Sequence, residues 1–283
     1  MTMINFSQKK EEEDKMIFQK MKAAKIFICL LLVISCLPIS GCLKVEAHRE
    51  FSEETEKNNE AASPNVDTRP RVALTYDDGP HEKYQETPSR TKLIVDELDK
   101  YGYHATFFVV GNRVDGTEYS GGAAMVYAAE HGNEIGIHGY THGVYYDRCS
   151  DAEYEYEMRK TVEAIQEKIP GYEVRLMRPV GGWITDARVE KSPYAIIKWS
   201  VDTLDWELSR PQGDADKINE IVENALDGIQ DGDIILMHDI YNNTYEATVI
   251  ILQRLHEMGF NVVTVSELLG DNLQAGVLYE SAP

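Results

Sequence analysis

The chain has 283 residues, 43% of them hydrophobic, enough to bury a sizeable core in one large domain or two small ones. Forty-eight acidic residues against 28 basic ones leave a formal net charge of -20. Such a surface repels phosphate backbones and argues against nucleic acid as a partner.

The first 42 residues read as a targeting segment. From Met21 to Cys42, MKAAKIFICLLLVISCLPISGC places basic residues before an apolar run and small residues before a cysteine, the layout of a secretory signal. The apolar run, from Ile26, is shorter than the ~20 residues that span a bilayer. ISGC, Ile39 to Cys42, resembles the lipobox of bacterial lipoproteins, with Ile where Leu is usual. That resemblance implies export, lipidation of Cys42 and anchoring to the outer face of the bacterial cytoplasmic membrane. An ordinary signal peptide with a secreted product, or a single anchor helix, are the alternatives. KKEEEDK makes a poor n-region, which leaves Met16 and Met21 as alternative starts to Met1. Cys29 and Cys36 leave with the signal and Cys42 carries lipid, so Cys149 stands alone and no disulfide framework is expected.

Residues 43–68 are polar and lack apolar periodicity, as in a flexible tether. From there to about residue 270, short β-rich runs alternate with helical patterns, and residues 271–283 read as a tail. The runs are RVALTY, HATFFVV, NEIGI, EVRLM, AIIKWSV, DIILM and NVVTV. Helices are expected near 88–101, 121–131, 151–168, 214–229 and 244–258, with Ser266 and Glu267 opening a short last one. Buried strands alternating with helices predict a parallel sheet. About seven of them suit a closed or nearly closed βα barrel, with an open doubly wound sheet as the alternative.

Polar residues fall in phase with this pattern. RVALTY ends in Asp77-Asp78, NEIGI in HGYTH, EVRLM in RPVGG, AIIKWSV in DTLDW and DIILM in His238-Asp239. In a βα barrel those ends converge on one mouth, where active sites sit. Each motif alone is weak: His138-x-x-x-His142 could be two surface histidines, and Asp-Asp-Gly-Pro is often only a turn. Together they suggest metal-assisted hydrolysis of an amide or ester. Two imidazoles and a carboxylate are a common ligand set for catalytic zinc, which lowers the pKa of water and polarises carbonyls. A second carboxylate can take a proton from water, a histidine on another strand can protonate the leaving group, and Arg178 can hold the base ionised.

The ordered set TYDDGP, HGYTH, RPVGG, DTLDW and ILMHD resembles the NodB-homology polysaccharide deacetylases, carbohydrate esterase family 4, over roughly residues 69–270. The resemblance implies a distorted (β/α) barrel and removal of acetyl groups from a glycan. It implies Asp77 as general base, oriented by Arg178. It implies Asp78, His138 and His142 as ligands of one divalent cation, with zinc the default and manganese or cobalt fitting the same set. His238 would be the general acid, tuned by Asp205. Leu236 and Trp206 would line the acetyl pocket, and the backbone N–H of Gly181 would bind the oxyanion. Successive side chains of an extended strand end point to opposite sides, so Asp78 is expected to face the metal and Asp77 the attacking water.

Three departures from the family pattern stand out. Gly139 replaces a Ser or Thr, Gly143 a Pro, and RPVGG the usual Arg-Pro-Pro-Tyr-Gly. The expected substrate is an N-acetylated polysaccharide, peptidoglycan or chitooligosaccharide. An O-acetyl esterase acting on xylan with the same site is the alternative. A non-catalytic glycan-binding surface protein is the alternative of another class, and it would be marked by a lost base or ligand.

Overall fold

Arg71–Asp77 forms the first strand, β1, and explains why its sequence is apolar without alternation. Val72, Leu74 and Tyr76 pack against the outer helices, while Ala73 points into an inner cluster with Phe108, Leu176, Ile197 and Ile234. A strand covered on both faces needs apolar residues on both. The computed structural model describes residues 67–82, 87–116 and 121–283. The targeting segment 1–42, with Cys42, and nearly all of the 43–68 linker lie outside the described residues.

The remaining strands follow in order. They are β2 (Thr106–Val109), β3 (Glu134–Ile137), β4 (Leu176–Met177), β5 (Ala195–Ile197), β6 (Val201–Asp202), β7 (Ile234–His238), β8 (Asn261–Val262) and β9 (Leu278–Tyr279). They form one sheet in the order β6-β7-β1-β2-β3-β4-β5-β9, with β8 paired to the first two residues of β1. The pairings between these strands are parallel. The architecture is a distorted half-barrel of parallel strands.

The structure corrects the expected count of about seven strands: nine are present among the described residues. AIIKWSV is not one strand but two, β5 and β6, separated by Lys198–Ser200. These two consecutive strands lie far apart in the sheet order, so the barrel does not close between them. The second addition, β9, lies beyond residue 270 and pairs with β5. Just past it, Ser281 bridges Asp233 at the start of β7.

The helices fall close to their expected positions: α1 (Arg90–Asp99), α3 (Gly122–Glu130), α4 (Asp151–Lys168), α6 (Ala215–Leu226), α7 (Asn242–Glu257) and α8 (Val265–Leu269). Two short ones, α2 (Gly111–Val114) and α5 (Asp186–Lys191), had no periodic signal because four to six residues cannot show one. Ser150 and Glu153 form a capping box that starts α4. The last helix starts earlier than expected: Thr264, not Ser266, is the cap, and Glu267 closes its capping box.

Candidate active site

Sheet register brings the motifs together. Asp77 pairs with Phe108 on β2 and with His238 on β7. On the other side Ile137 pairs with Met177, so His138 and Arg178 leave their strands side by side. The base, acid and ligand candidates therefore come from neighbouring strand ends, where an α/β sheet presents its ligands.

Arg178 is fully buried. Its Nη1 donates to Asp77 Oδ1 at 2.9 Å and to Thr75 Oγ1 at 2.7 Å. Its Nε and Nη2 donate to the carbonyls of Ile197 and Lys198, which the break between β5 and β6 supplies. The guanidinium lies 4.3 Å from the Phe108 ring centroid. A buried cation with every edge occupied is a rigid support for a carboxylate.

Asp78, His138 and His142 each offer a ligand atom, and these atoms lie within 4.8 Å of one another. The buried Oδ1 of Asp78 is 2.8 Å from Nε2 of His142 and 3.5 Å from Nε2 of His138. It is nevertheless aligned for a hydrogen bond with neither. A carboxylate and two imidazoles converging on one point fit a divalent cation. His138 Nδ1 lies 2.9 Å from the carbonyl of Arg178 and donates to it, which leaves Nε2 unprotonated and free to bind metal. Burial lowers the His138 pKa despite the nearby Asp77 and Asp78, which also favours the neutral, ligating ring.

The two adjacent aspartates do not diverge as an extended strand end would require. Asp78 has left the strand with φ 73°, and His138 Nε2 is 3.6 Å from Asp77 Oδ2 as well as 3.5 Å from Asp78 Oδ1. Both carboxylates therefore face one centre. A left-handed residue after the last strand residue turns the second side chain back toward the first, and Asp tolerates that conformation better than most residues.

Across the mouth, His238 Nδ1 lies 2.8 Å from Asp205 Oδ1, and His238 N–H donates to Asp205 Oδ2 at 2.7 Å. Thr244 Oγ1 donates to the same Oδ2 at 2.6 Å. Burial works against charging His238, but the fully buried Asp205 carboxylate outweighs it, with smaller help from Asp78 and Asp77. The imidazolium is pushed up to about 10. Leu236 shares the inward face of β7 with His238 and is 4% exposed, whereas Trp206, next to Asp205, is 48% exposed.

Gly181 sits in a tight turn, Val180–Gly182, with φ 62°. The two N–H groups after it are used within the turn, Gly182 donating to Pro179 and Trp183 to Val180.

Two residues matter that motif reading gave no role. Glu157, on α4, is 2% exposed. It accepts from the N–H groups of Tyr140 (2.6 Å) and Thr141 (2.8 Å) and from Thr141 Oγ1 (2.8 Å). It thus fixes the loop between the two histidines. Asp239, fully buried, accepts from Thr91 Oγ1, and burial raises its carboxyl pKa to about 7. Both its oxygens lie 2.4 Å from where a Cβ on Gly79 would stand. Only glycine lets the Asp-Asp-Gly-Pro turn rest on this carboxyl.

Residues 65–194 match the family model described as Polysaccharide deacetylase. The chain is 34% identical over 206 residues to the peptidoglycan-N-acetylglucosamine deacetylase of Bacillus cereus (strain ATCC 14579), covering 70% of this chain and 87% of that one. The chain belongs to the polysaccharide deacetylase family. It is also 33% identical over 229 residues to the peptidoglycan-N-acetylmuramic acid deacetylase PdaC of Bacillus subtilis (strain 168), which covers 80% of this chain but only 45% of that protein. The chain thus spans less than half the length of this larger relative. Among solved structures, T48 deacetylase with substrate superposes with a TM-score of 0.65 at 31% identity, over 75% of this chain and 98% of that one.

Proposed function

We propose that the protein removes N-acetyl groups from a cell-wall or chitin-like glycan, with peptidoglycan as the substrate. The observation that carries this reading is the convergence of Arg178–Asp77, the Asp78/His138/His142 cluster and Asp205–His238 at one end of the sheet. The relatives named above, both acting on peptidoglycan, support the choice of glycan.

The donor set fits a divalent cation, zinc by default, which when bound would acidify water and polarise the acetyl carbonyl. The chain's own residues supply the rest. Asp77, held by Arg178, accepts a proton from the attacking water. The N–H of Gly181 binds the carbonyl oxygen as it becomes an oxyanion. His238, kept as the imidazolium by Asp205, gives its proton to the sugar nitrogen as the C–N bond breaks. Acetate leaves and the glycan keeps a free amine. Leu236 and Trp206 flank the acetyl methyl. The domain acts outside the cell, tethered through a lipid on Cys42 to the cytoplasmic membrane.

Two variants test the division of labour. Asp77→Asn and Asp78→Asn are both expected to abolish acetate release from peptidoglycan and chitooligosaccharides, but only Asp78→Asn should weaken zinc binding strongly. Equal zinc loss in both would refute the assignment. Product analysis separates amide from ester cleavage: glucosamine units mark the proposed reaction, whereas acetate released only from acetylxylan marks an esterase. Loss of membrane fractionation on Cys42→Ala tests the anchor.

A further inference from the structure

Tyr145 and Trp183 form a feature that folding does not account for. Tyr146 and Ile184 make an isolated parallel bridge, which sets the residues before them, Tyr145 and Trp183, alongside each other. The bridged pair turns inward: Tyr146 is fully buried, and Ile184 packs on the same cluster. The preceding pair turns outward, with Tyr145 42% and Trp183 56% exposed. Both rings approach Gly181. A Cβ there would lie 3.0 Å from Trp183 Cδ1, 3.2 Å from Trp183 Nε1 and 3.6 Å from Tyr145 Cε1.

This position is tied to the site from two directions. Tyr145 follows His142 by three residues, and Trp183 follows Gly181 by two. Behind the turn, Trp199 packs within 3.1 Å of the corresponding point on Gly182, so the turn that carries Trp183 is supported from below. Arg148 lies 4.8 Å from the Tyr145 ring centroid and pairs with Asp147.

We infer that Trp183, with Tyr145, is a stacking ledge for a pyranose ring of the substrate, namely a sugar next to the one being deacetylated. The inference rests on the proposed glycan deacetylase reading. An indole left half in water beside a reaction centre keeps a large apolar face exposed, as Trp206, 48% exposed, also does. Two rings make too small a patch for a protein interface, which needs on the order of 1,000 Å². They match one sugar, whose C–H face is apolar and whose hydroxyls project from the edge toward water. A rigid aromatic side chain binds such a face with little loss of conformational entropy.

The test uses Trp183→Ala and Trp183→Phe, with zinc bound. Initial rates of acetate release are measured on N-acetylated chitooligosaccharides from the disaccharide to the pentasaccharide. For Trp183→Ala, KM for the pentasaccharide should rise about tenfold, with most of the loss in KM rather than kcat, and the gain in kcat/KM with chain length should flatten. Trp183→Phe should recover most of it. A KM unchanged in Trp183→Ala, or a loss confined to kcat at every chain length, overturns the ledge. Calorimetric titration with the pentasaccharide separates this result from failure of the parent reading. If the unmodified protein releases no acetate, the deacetylase reading falls. The ledge then stands if Trp183→Ala binds about tenfold more weakly, and falls if both bind alike or neither binds.

Discussion

Removing the Glu157 carboxylate should loosen the metal site without touching a ligand. That side chain accepts three hydrogen bonds, at 2.6, 2.8 and 2.8 Å, from the two residues midway between His138 and His142. Bonds to a charged acceptor contribute about 1.5–3 kcal/mol each, and a buried donor left unpaired costs about 1–3 kcal/mol. A simple sum overstates the loss, because Thr141 is exposed and can turn its N–H to water. A net cost of about 2–4 kcal/mol for Glu157→Ala is therefore reasonable. Much of it should appear as loop opening, so that zinc must order the loop before it can use His142. Outer-sphere losses of this kind weaken metal binding by about 10–100-fold. Competition against a chromophoric chelator gives the zinc Kd, and melting with and without zinc gives the coupling. Glu157→Gln, which keeps one carbonyl oxygen, should fall between. A zinc Kd in Glu157→Ala within about twofold of the unmodified protein would refute the argument.

Two further outcomes follow from the same geometry. In Gly79→Ala the new methyl would stand 2.4 Å from both Asp239 oxygens, and that side chain is buried and held by Thr91. The expected cost is about 1–3 kcal/mol of stability in a denaturant titration, with zinc binding weakened alongside. For His238, the folded pKa of about 10 lies above the free value of 6.5. Its contribution to stability is thus complete below pH 6.5 and is lost as pH rises toward 10. In Asp205→Asn that alkaline decline should shrink, and the alkaline limb of kcat/KM should move down toward neutrality. Superimposable profiles for the two proteins would remove Asp205 from the tuning role.

Much of the site was legible because its parts sit at strand ends, where sequence period and chemistry coincide. Asp77, His138, Arg178 and His238 each end or directly follow a buried β-rich run. What was not legible depends on contacts across the fold. Glu157 lies mid-helix among surface acids, and only the packing of α4 against the histidine loop gives it a partner. The alternation of an extended strand does not carry over to Asp78, because the strand ends at Asp77 and φ turns positive at the next residue. AIIKWSV reads as one strand because its apolar pattern runs on. The backbone breaks where Arg178 takes the carbonyls of Ile197 and Lys198. A buried guanidinium needs those acceptors more than the sheet needs the pairing.

Two of the departures from the family pattern, Gly139 and Gly181, turn out to be linked. A Cβ at Gly139 would lie 2.5 Å from the hydroxyl of Tyr146, and one at Gly181 would meet Trp183 and Tyr145. Consecutive tyrosines, one facing in and one out, thus occupy the space left by both glycines. The inward hydroxyl is fully buried and has no hydrogen-bond partner among the described residues. Tyr146→Phe should therefore be neutral or slightly stabilising, since it removes an unpaired polar atom. Gly139→Ala should be costly for two reasons: φ is +80°, and the methyl strikes that hydroxyl. In a double-mutant cycle, Tyr146→Phe should remove the steric part and leave about 1 kcal/mol for the left-handed backbone. Strict additivity of the two stability changes would show that the tyrosine does not fill the place of the missing side chain.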